Sequence, residues 1–297
     1  MFITRLIKKL KEISIIDTIN VIFNRKSVLF WSDTEETKSN FGDAINPVLF
    51  VKLTGLNVVS AFKIINLCNK DTYYFIGSIL DNLKKDNAII CGTGFQHENA
   101  KILKKPAKII AVRGPLSRNI FLKHKIECPE IYCDPALLLP DIYLPKKIEK
   151  KFDVGIIAHY IDKNLVGQKK IIDNGLTYHF IDIEADWRQI IEDVNISRYI
   201  ISSSLHGIIV SHAYGIPATR MKLSNNINGG DFKFNDYALA MSNKPFDVYQ
   251  IEDEINLSIA IKLSKMVNTK PARRNFLNAM RYLVLSNEDS LITKRNN

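Results

Sequence analysis

Apolar positions along the chain follow two periods. Over the first stretch, MFITRLIKKLKEISIIDTI, Phe2, Ile3, Leu6, Ile7, Leu10 and Ile13 share one helical face, with Arg5, Lys8, Lys9 and Lys11 mostly opposite. This is the pattern of a basic amphipathic helix, which suits either a membrane interface or a docked position on its own domain. From Ser27 the pattern changes to short apolar runs separated by polar turns. VLFW at 28–31 reads as a strand, and NFGDAINPVLFVKLTGL at 40–56 sets Asn, Gly and Asp before an apolar-periodic helix that closes near Gly55. YYFIGSIL, NAIICGTGF and AKIIAVRGP then alternate with helical segments. Such βαβα order predicts a largely parallel sheet with helices on both faces.

A proline- and lysine-rich stretch, LPDIYLPKKIEKKFD at 139–153, lacks a clean period and reads as an interdomain linker. The strand series restarts in FDVGIIAHY, LTYHFIDI and SRYIISSS, and a helical tail follows with Lys262, Lys265, Lys270, Arg273, Arg274 and Arg281 among apolar residues. The chain of 297 residues has the length of two domains of roughly 150 residues each. The predicted division is an N-terminal amphipathic helix at 1–26, a first α/β lobe at 27–145, a second at 146–248 and a helical tail at 249–297. The expected fold class is α/β, with two Rossmann-like lobes facing a cleft. Ligands of open α/β sheets sit at the carboxyl ends of the strands. The residues that fall there are Asn40, Gly42 and Asp43; Gly92 and Gly94; Arg113 and Gly114; His159; and Ser202, Ser203 and Ser204 with His206.

Charge narrows the choice of partner. A net charge of +10 and a pI near 9.3 call for an acidic one. The basic residues cluster at the termini and no nucleic-acid motif accompanies them, so nucleic acid is not expected, which leaves an anionic membrane face or an anionic small substrate. Cys68, Cys91, Cys128 and Cys133 lack CxxC or Cys/His spacing and read as reduced core thiols of a cytosolic protein rather than zinc ligands. No run of about 18 apolar residues marks a spanning helix and no leader pattern is present. No DxD-like signature stands out either. DIE at 182–184 reads as the end of a buried strand, so no metal is expected.

The segment SSSLHGIIVSHAYGIPA carries the main candidate. Three serines turn a buried strand into a helix from Leu205 to Tyr214 that stops at Gly215 ahead of Pro217. His206 then lies in the helix's first turn, beside backbone N–H groups that lack intrahelical partners and form an anion site. Arg113 in IIAVRGPLSRN supplies a planar, permanent cation suited to carboxylate or phosphate, or else a surface ion pair. Asp43 either caps its helix or serves a site. GGDFKFNDYALAM joins Gly229 and Gly230 to Asp231, Lys233 and three aromatic residues, as a sugar-binding loop or as core.

NFGDAINPVLF, CGTGF, VRGPLSR, CDPALLLP, VGIIAHYID, SSSLHGIIVSHAYGIPA and GGDFKFNDY together resemble the polysaccharide pyruvyl transferase family, in particular its exopolysaccharide-type ketal pyruvyltransferases. The motifs run in family order over about residues 28 to 240. The resemblance implies a GT-B-like pair of lobes, phosphoenolpyruvate as donor and co-substrate with no other cofactor, and a sugar of a surface polysaccharide or its lipid-linked precursor as acceptor. It also implies that the arginine of VRG and the histidine of LHG, here Arg113 and His206, hold the donor. Many family members have arginine just before LHG, where this chain has Ser204, so Arg220 or Lys222 is the expected replacement.

The expected donor site is thus Arg113, Ser203, Ser204, Gly207, Arg220 and Lys222, and the expected acceptor site Asn40, Gly42, Gly94, Asp231 and Lys233. His206 is the expected acid, His159 the second choice, and Asp43 the base for the acceptor hydroxyl. The same two-lobed fold would also serve a glycosyltransferase using a nucleotide sugar, or a noncatalytic member of a polysaccharide assembly. The basic termini favour peripheral contact with the inner face of the cell membrane.

Overall fold

A computed structural model describes residues 13–31, 41–65, 70–146 and 149–284 of the chain. The first sheet is built from β1 (Ser27–Phe30), β2 (Val58–Ser60), β3 (Thr72–Tyr74), β4 (Ala88–Cys91) and β5 (Lys108–Ala111). It runs in the order β2-β1-β3-β4-β5 with every pairing parallel, as in Val28 beside Thr72 and Tyr73 beside Ile89. β4 is buried along its whole length, the signature of a strand covered on both faces. Helix α1 (Ile15–Ile22) precedes the sheet, α2 (Phe41–Thr54) joins β1 to β2, and α3 (Pro115–Lys123) follows β5.

The connections after β3 depart from the predicted alternation with helices. A single 3-10 turn at Leu80–Asn82 joins β3 to β4, and no helix lies between β4 and β5. Instead, the chain beyond the second sheet returns to cover the first, so its packing partners are distant in sequence and local pattern does not reveal them.

After the short helix α4 (Leu139–Ile142), a second all-parallel sheet is formed by β6 (Phe152–Ile157), β8 (Tyr178–Ile181), β9 (Ser197–Ser202), β10 (Ala218–Lys222) and β11 (Val248–Gln250). Its order is β11-β10-β9-β6-β8. The helices between these strands are α5 (Lys163–Val166), α6 (Trp187–Asn195), α7 (Leu205–Ala213) and α8 (Phe232–Ser242). β7 (Lys170–Ile172) pairs outside this sheet with β12 (Glu254–Asn256), which leads to α9 (Leu257–Leu263) and α10 (Lys270–Val284). The region expected as a helical tail therefore also contributes the edge strand of the second sheet and a two-stranded ladder.

The lobes are fastened together by apolar burial. One core cluster runs from Leu29, Ile45 and Leu49 in the first lobe through Leu137 and Leu139 to Ile208 and Ile209 of α7 and Phe276 of α10. α8, the crossover between β10 and β11, packs against α3 of the first lobe. The contact is so close that a Cβ built on Gly114 would lie 1.9 Å from the Asp236 carbonyl oxygen.

Candidate active site

Counted within its own lobe, and leaving out β7, each sheet runs second-first-third-fourth-fifth. This is a doubly wound order whose switch point falls between the first and third strands. The loops leaving those strands face one another across a cavity of about 270 Å³. From the first lobe come Phe41, Gly42 and Asp43 at the start of α2, and Gly77, Ser78 and Ile79 after β3. The second lobe supplies His159 and Tyr160 after β6, Ser204 and His206 after β9, and Lys233 on α8.

α7 begins where the sequence predicts. Ser204 is its N-cap in extended conformation (φ −94°, ψ 131°), yet its hydroxyl makes no capping bond. Its backbone N–H donates instead to Ser202 Oγ at 3.0 Å. Ser204, Leu205 and His206, at the start of α7, line the cavity, and the helix's first-turn N–H groups have no intrahelical partners. At the other end Gly215, with φ 72°, terminates the helix.

The His206 ring is half-buried and lies flat against the Cα of Gly42 on the opposite lobe. A Cβ at Gly42 would lie 2.3 Å from His206 Cε1 and 2.6 Å from Nδ1, so only glycine leaves room for the imidazole. Nε2 is buried with no hydrogen-bond partner, a group that is costly to leave unmet. Burial, reinforced by the positive charges of Lys233 and Arg113 and by His159, pulls its pKa down to about 3.

Lys233 is the other unusual group. It is buried in the cavity wall, its ammonium 5.7 Å from the centre of the Phe234 ring, and no carboxylate pairs with it among the described residues. Burial, Arg113 and Arg220 lower its pKa to about 8. His159 is held by its backbone N–H to Ser203 Oγ (2.9 Å) and by its Nδ1, which accepts from Ile161 N–H (3.3 Å). Its ring packs on exposed Tyr160 at 4.4 Å, and burial plus Lys233 bring its pKa to about 4. Lys233 thus disfavours protonation of both histidines, and a bound anion would favour the charged form of all three groups.

Arg113 is placed differently from its expected position on the donor. Its side chain is completely buried, off the cavity wall, and committed to protein partners. Nε–H donates to Asp236 Oδ2 at 3.0 Å, a second nitrogen to the Phe95 carbonyl at 2.7 Å, and the third to Ser78 Oγ at 2.5 Å. Asp236 also accepts from the backbone N–H and the hydroxyl of Ser117, at 2.9 and 2.6 Å. Since Asp236 is on α8 and Arg113 follows β5, the pair bridges the lobes and touches the cavity only through Ser78. Gly94 sits beneath this guanidinium, where a Cβ would lie 2.5 Å from Arg113 Cζ, and so is also off the wall.

The remaining expected residues divide. Asp43, Gly42, Ser204, His159, His206 and Lys233 meet at the cavity, so Lys233, expected with the acceptor, shares a wall with the histidines. Ser203, Arg220, Lys222 and Asp231 line a separate cavity of about 60 Å³, where Arg220 pairs with Asp231 and lies 4.1 Å above the Phe234 ring. Gly207 is buried against Ser202. Asn40 lies outside the described residues. Sequence reasoning passed over Glu184, Ser78, Gln96 and Asn228, all of which line the main cavity. Glu184, read as the end of a strand, lies three residues beyond β8 and pairs with Lys163 at 3.1 Å. A charged residue just past a parallel strand's carboxyl end was the available signal.

Two parallel doubly wound sheets with a polar cavity at their facing switch points, lined by Lys233, two histidines and two carboxylates, define a two-lobed α/β protein. Comparison with known proteins gives the family: residues 10–225 match the profile of polysaccharide pyruvyl transferases, and the chain belongs to that family. It is 31% identical over 205 residues to the uncharacterized protein L143 of Acanthamoeba polyphaga mimivirus, a stretch covering 67% of this chain and 69% of that protein. It is 26% identical over 212 residues to the succinoglycan biosynthesis protein ExoV of Rhizobium meliloti (strain 1021), covering 69% of this chain and 62% of that protein. No helix among the described residues is long and apolar enough to cross a membrane.

Proposed function

We propose that the protein transfers the pyruvyl unit of phosphoenolpyruvate to a sugar of a surface polysaccharide or its lipid-linked precursor and closes it into a ketal, with no further cofactor. Membership of the family and the likeness to a succinoglycan biosynthesis protein support transfer of this kind. The observation that carries the donor assignment is Lys233, a buried cation without an acidic partner among the described residues, set in one wall with His159, His206 and the opening turn of α7. The negative charge of a phosphate and a carboxylate on three carbons suits Lys233 and the α7 turn and would draw protons onto the two histidines. At about 270 Å³ the cavity falls at the small end of the roughly 300–1,000 Å³ spanned by ligand pockets. That size favours a three-carbon phosphate over a nucleotide sugar. The facing sheets support a GT-B-like reading of the architecture.

In this reading the imidazole of His206 is neutral in the free site and gains a proton when the trianion arrives beside it. It then protonates the donor's methylene carbon, leaving an oxocarbenium-like centre. Asp43, across the cavity at the start of α2, takes the proton of the attacking sugar hydroxyl. Phosphate leaves with its bonding electron pair, and a second hydroxyl of the same sugar adds to the resulting cation and loses its proton. One donor and one diol thus give one ketal and one inorganic phosphate. Arg113 acts through Ser78 and Asp236 rather than on the donor, while Arg220 and Lys222 lie next to the site and are candidates for the acceptor's charged groups. The test is phosphate release from phosphoenolpyruvate with a panel of oligosaccharide acceptors. Acceptor-dependent release is expected; no release with any acceptor, together with thermal protection by a nucleotide sugar and none by phosphoenolpyruvate, would overturn the reading.

A further inference from the structure

Helix α1 docks on the first lobe by one side only. Val21 joins a small cluster with Val28, Val59 and Ile64. Thr18 Oγ1 donates to the Ser14 carbonyl at 2.9 Å and accepts from Ile65 N–H at 3.3 Å. The side turned away from the lobe carries Ile15, Ile16, Ile19, Ile22 and Phe23, all exposed, Ile16 to 74% and Phe23 to 67%. A surface helix ordinarily turns its polar side outward; here the outward side is the more apolar one. Several large apolar side chains on one exposed helical strip make a patch of the kind that marks an interaction surface.

The charge around the strip says what it meets. Arg25 and Lys26 follow the helix, Lys63 and Lys70 flank it, and its own acid, Asp17, is paired with Lys26 at 2.7 Å. The Lys26 hydrogen bond, foremost, holds the Asp17 carboxyl below the usual carboxylate range. Asp71 is the other acid in these segments. The twelve residues before the helix-bearing segment add Arg5, Lys8, Lys9 and Lys11 against Glu12. An apolar strip bordered by cations fits the interface of a bilayer carrying anionic headgroups, where apolar side chains enter the acyl boundary and lysines and arginines stay among the headgroups.

We infer that α1 is a membrane-contact element that seats the protein on an anionic bilayer through Ile15, Ile16, Ile19, Ile22 and Phe23. The experiment is co-sedimentation of the full chain with vesicles of phosphatidylcholine alone or of phosphatidylcholine with one quarter phosphatidylglycerol. The wild-type chain should pellet with the anionic vesicles and bind the neutral ones at least tenfold less. The double variant Ile16→Glu/Ile19→Glu should lose at least tenfold of the anionic binding while keeping the wild-type circular dichroism spectrum and melting temperature. The inference is overturned if the wild-type chain stays in solution, or if the folded double variant binds as well as wild type. It is also overturned if the wild-type chain is a dimer without vesicles that the double variant converts to monomer, which would assign the strip to a second copy.

Should the double variant not fold, Ile19→Cys on a Cys68→Ser background offers a gentler probe, because Cys91, Cys128 and Cys133 are buried. An environment-sensitive fluorophore at position 19 should shift to the blue with anionic vesicles, and an unchanged spectrum overturns the inference.

Discussion

In the first lobe the strands that lead to the cavity, β1 and β3, are four and three residues long, whereas β6 and β9 of the second are six each. The shorter strands depend on distant chain, with Phe276 and Met280 of α10 covering what local crossovers do not. The two lobes also bring different chemistry. The first supplies Asp43, Ser78 and the bare Cα face of Gly42; the second supplies His159, His206 and Lys233. The second lobe thus carries Lys233 and both histidines, together with Glu184, while the first shapes and steadies the site. The Arg113–Asp236 pair, with both side chains fully buried, joins these roles by holding α8, and so Lys233, against the first lobe.

The largest effect should come from the group that touches both lobes. His206→Ala is expected to lower the rate of phosphate release from phosphoenolpyruvate by about 10²- to 10⁴-fold, the usual contribution of a general acid or base, with an unchanged melting temperature. Retention of more than about a tenth of the turnover would remove His206 from the chemistry.

Next comes the contrast between the buried pair and the unpaired lysine. Arg113→Ala or Asp236→Asn leaves an uncompensated charge in the interior and should cost about 3–5 kcal/mol of stability in urea unfolding. Lys233→Ala should leave stability nearly unchanged or raise it, yet weaken protection by phosphoenolpyruvate at least tenfold. The opposite pattern, a stable Arg113→Ala protein with weakened donor affinity, would make Arg113 a ligand and its burial incidental. A smaller effect is expected from Gly42→Ala. Its new methyl must displace the imidazole, and a shift of about 1 Å costs on the order of 10²-fold in rate. We expect a loss of about 10- to 100-fold in kcat with little change in donor affinity.

Much of this was legible in the sequence, and the reason differs by region. β6 and β9 of the second lobe are six residues long with paired isoleucines, and α7 follows β9 directly, so pattern reading located these elements and the first-turn position of His206. The strand-end rule also named Asp43, His159 and His206, which line one cavity. Arg113 obeys the same rule and still points away from the cavity. Its partner Asp236 is 123 residues along the chain, and nothing in a local window reveals a buried carboxylate so far off. Lys233 was visible only as one charge in an aromatic-rich loop; its place in the cavity wall follows from the docking of α8 on α3. Where helices were expected after β3 and β4, α10 packs on the first sheet from far along the chain, a tertiary solution that local periodicity cannot encode.

The smallest effect is a proton count. His206 and His159, near 3 and 4 in the free protein, are neutral at pH 6 because they are buried among like charges. A divalent anion in the cavity offsets those charges, so its binding should carry a proton in, and its affinity should rise as pH falls from about 7.5 toward 5.5, by at most tenfold per pH unit for each proton taken up. Sulfate is the cleaner probe, since a phosphate monoester itself titrates near pH 6. The sign for the free protein is opposite. Histidines whose folded pKa lies below the unfolded value near 6.5, with His212 at about 4 among them, make the unfolded state the better proton binder, so stability should fall as pH drops from 6.5 toward 4. Asp134, raised to about 6 by burial, pulls the other way between 6 and its ordinary value of 3.8, one group against these histidines and His179, which burial also lowers. Melting curves at pH 7.5 and 5.5 should therefore show a lower midpoint in acid without sulfate and a larger sulfate-induced rise there, and His206→Ala should shrink that rise. An equal rise at both pH values would mean that the anion is held by Lys233 and the α7 amides alone, and that the imidazole stays neutral beside it.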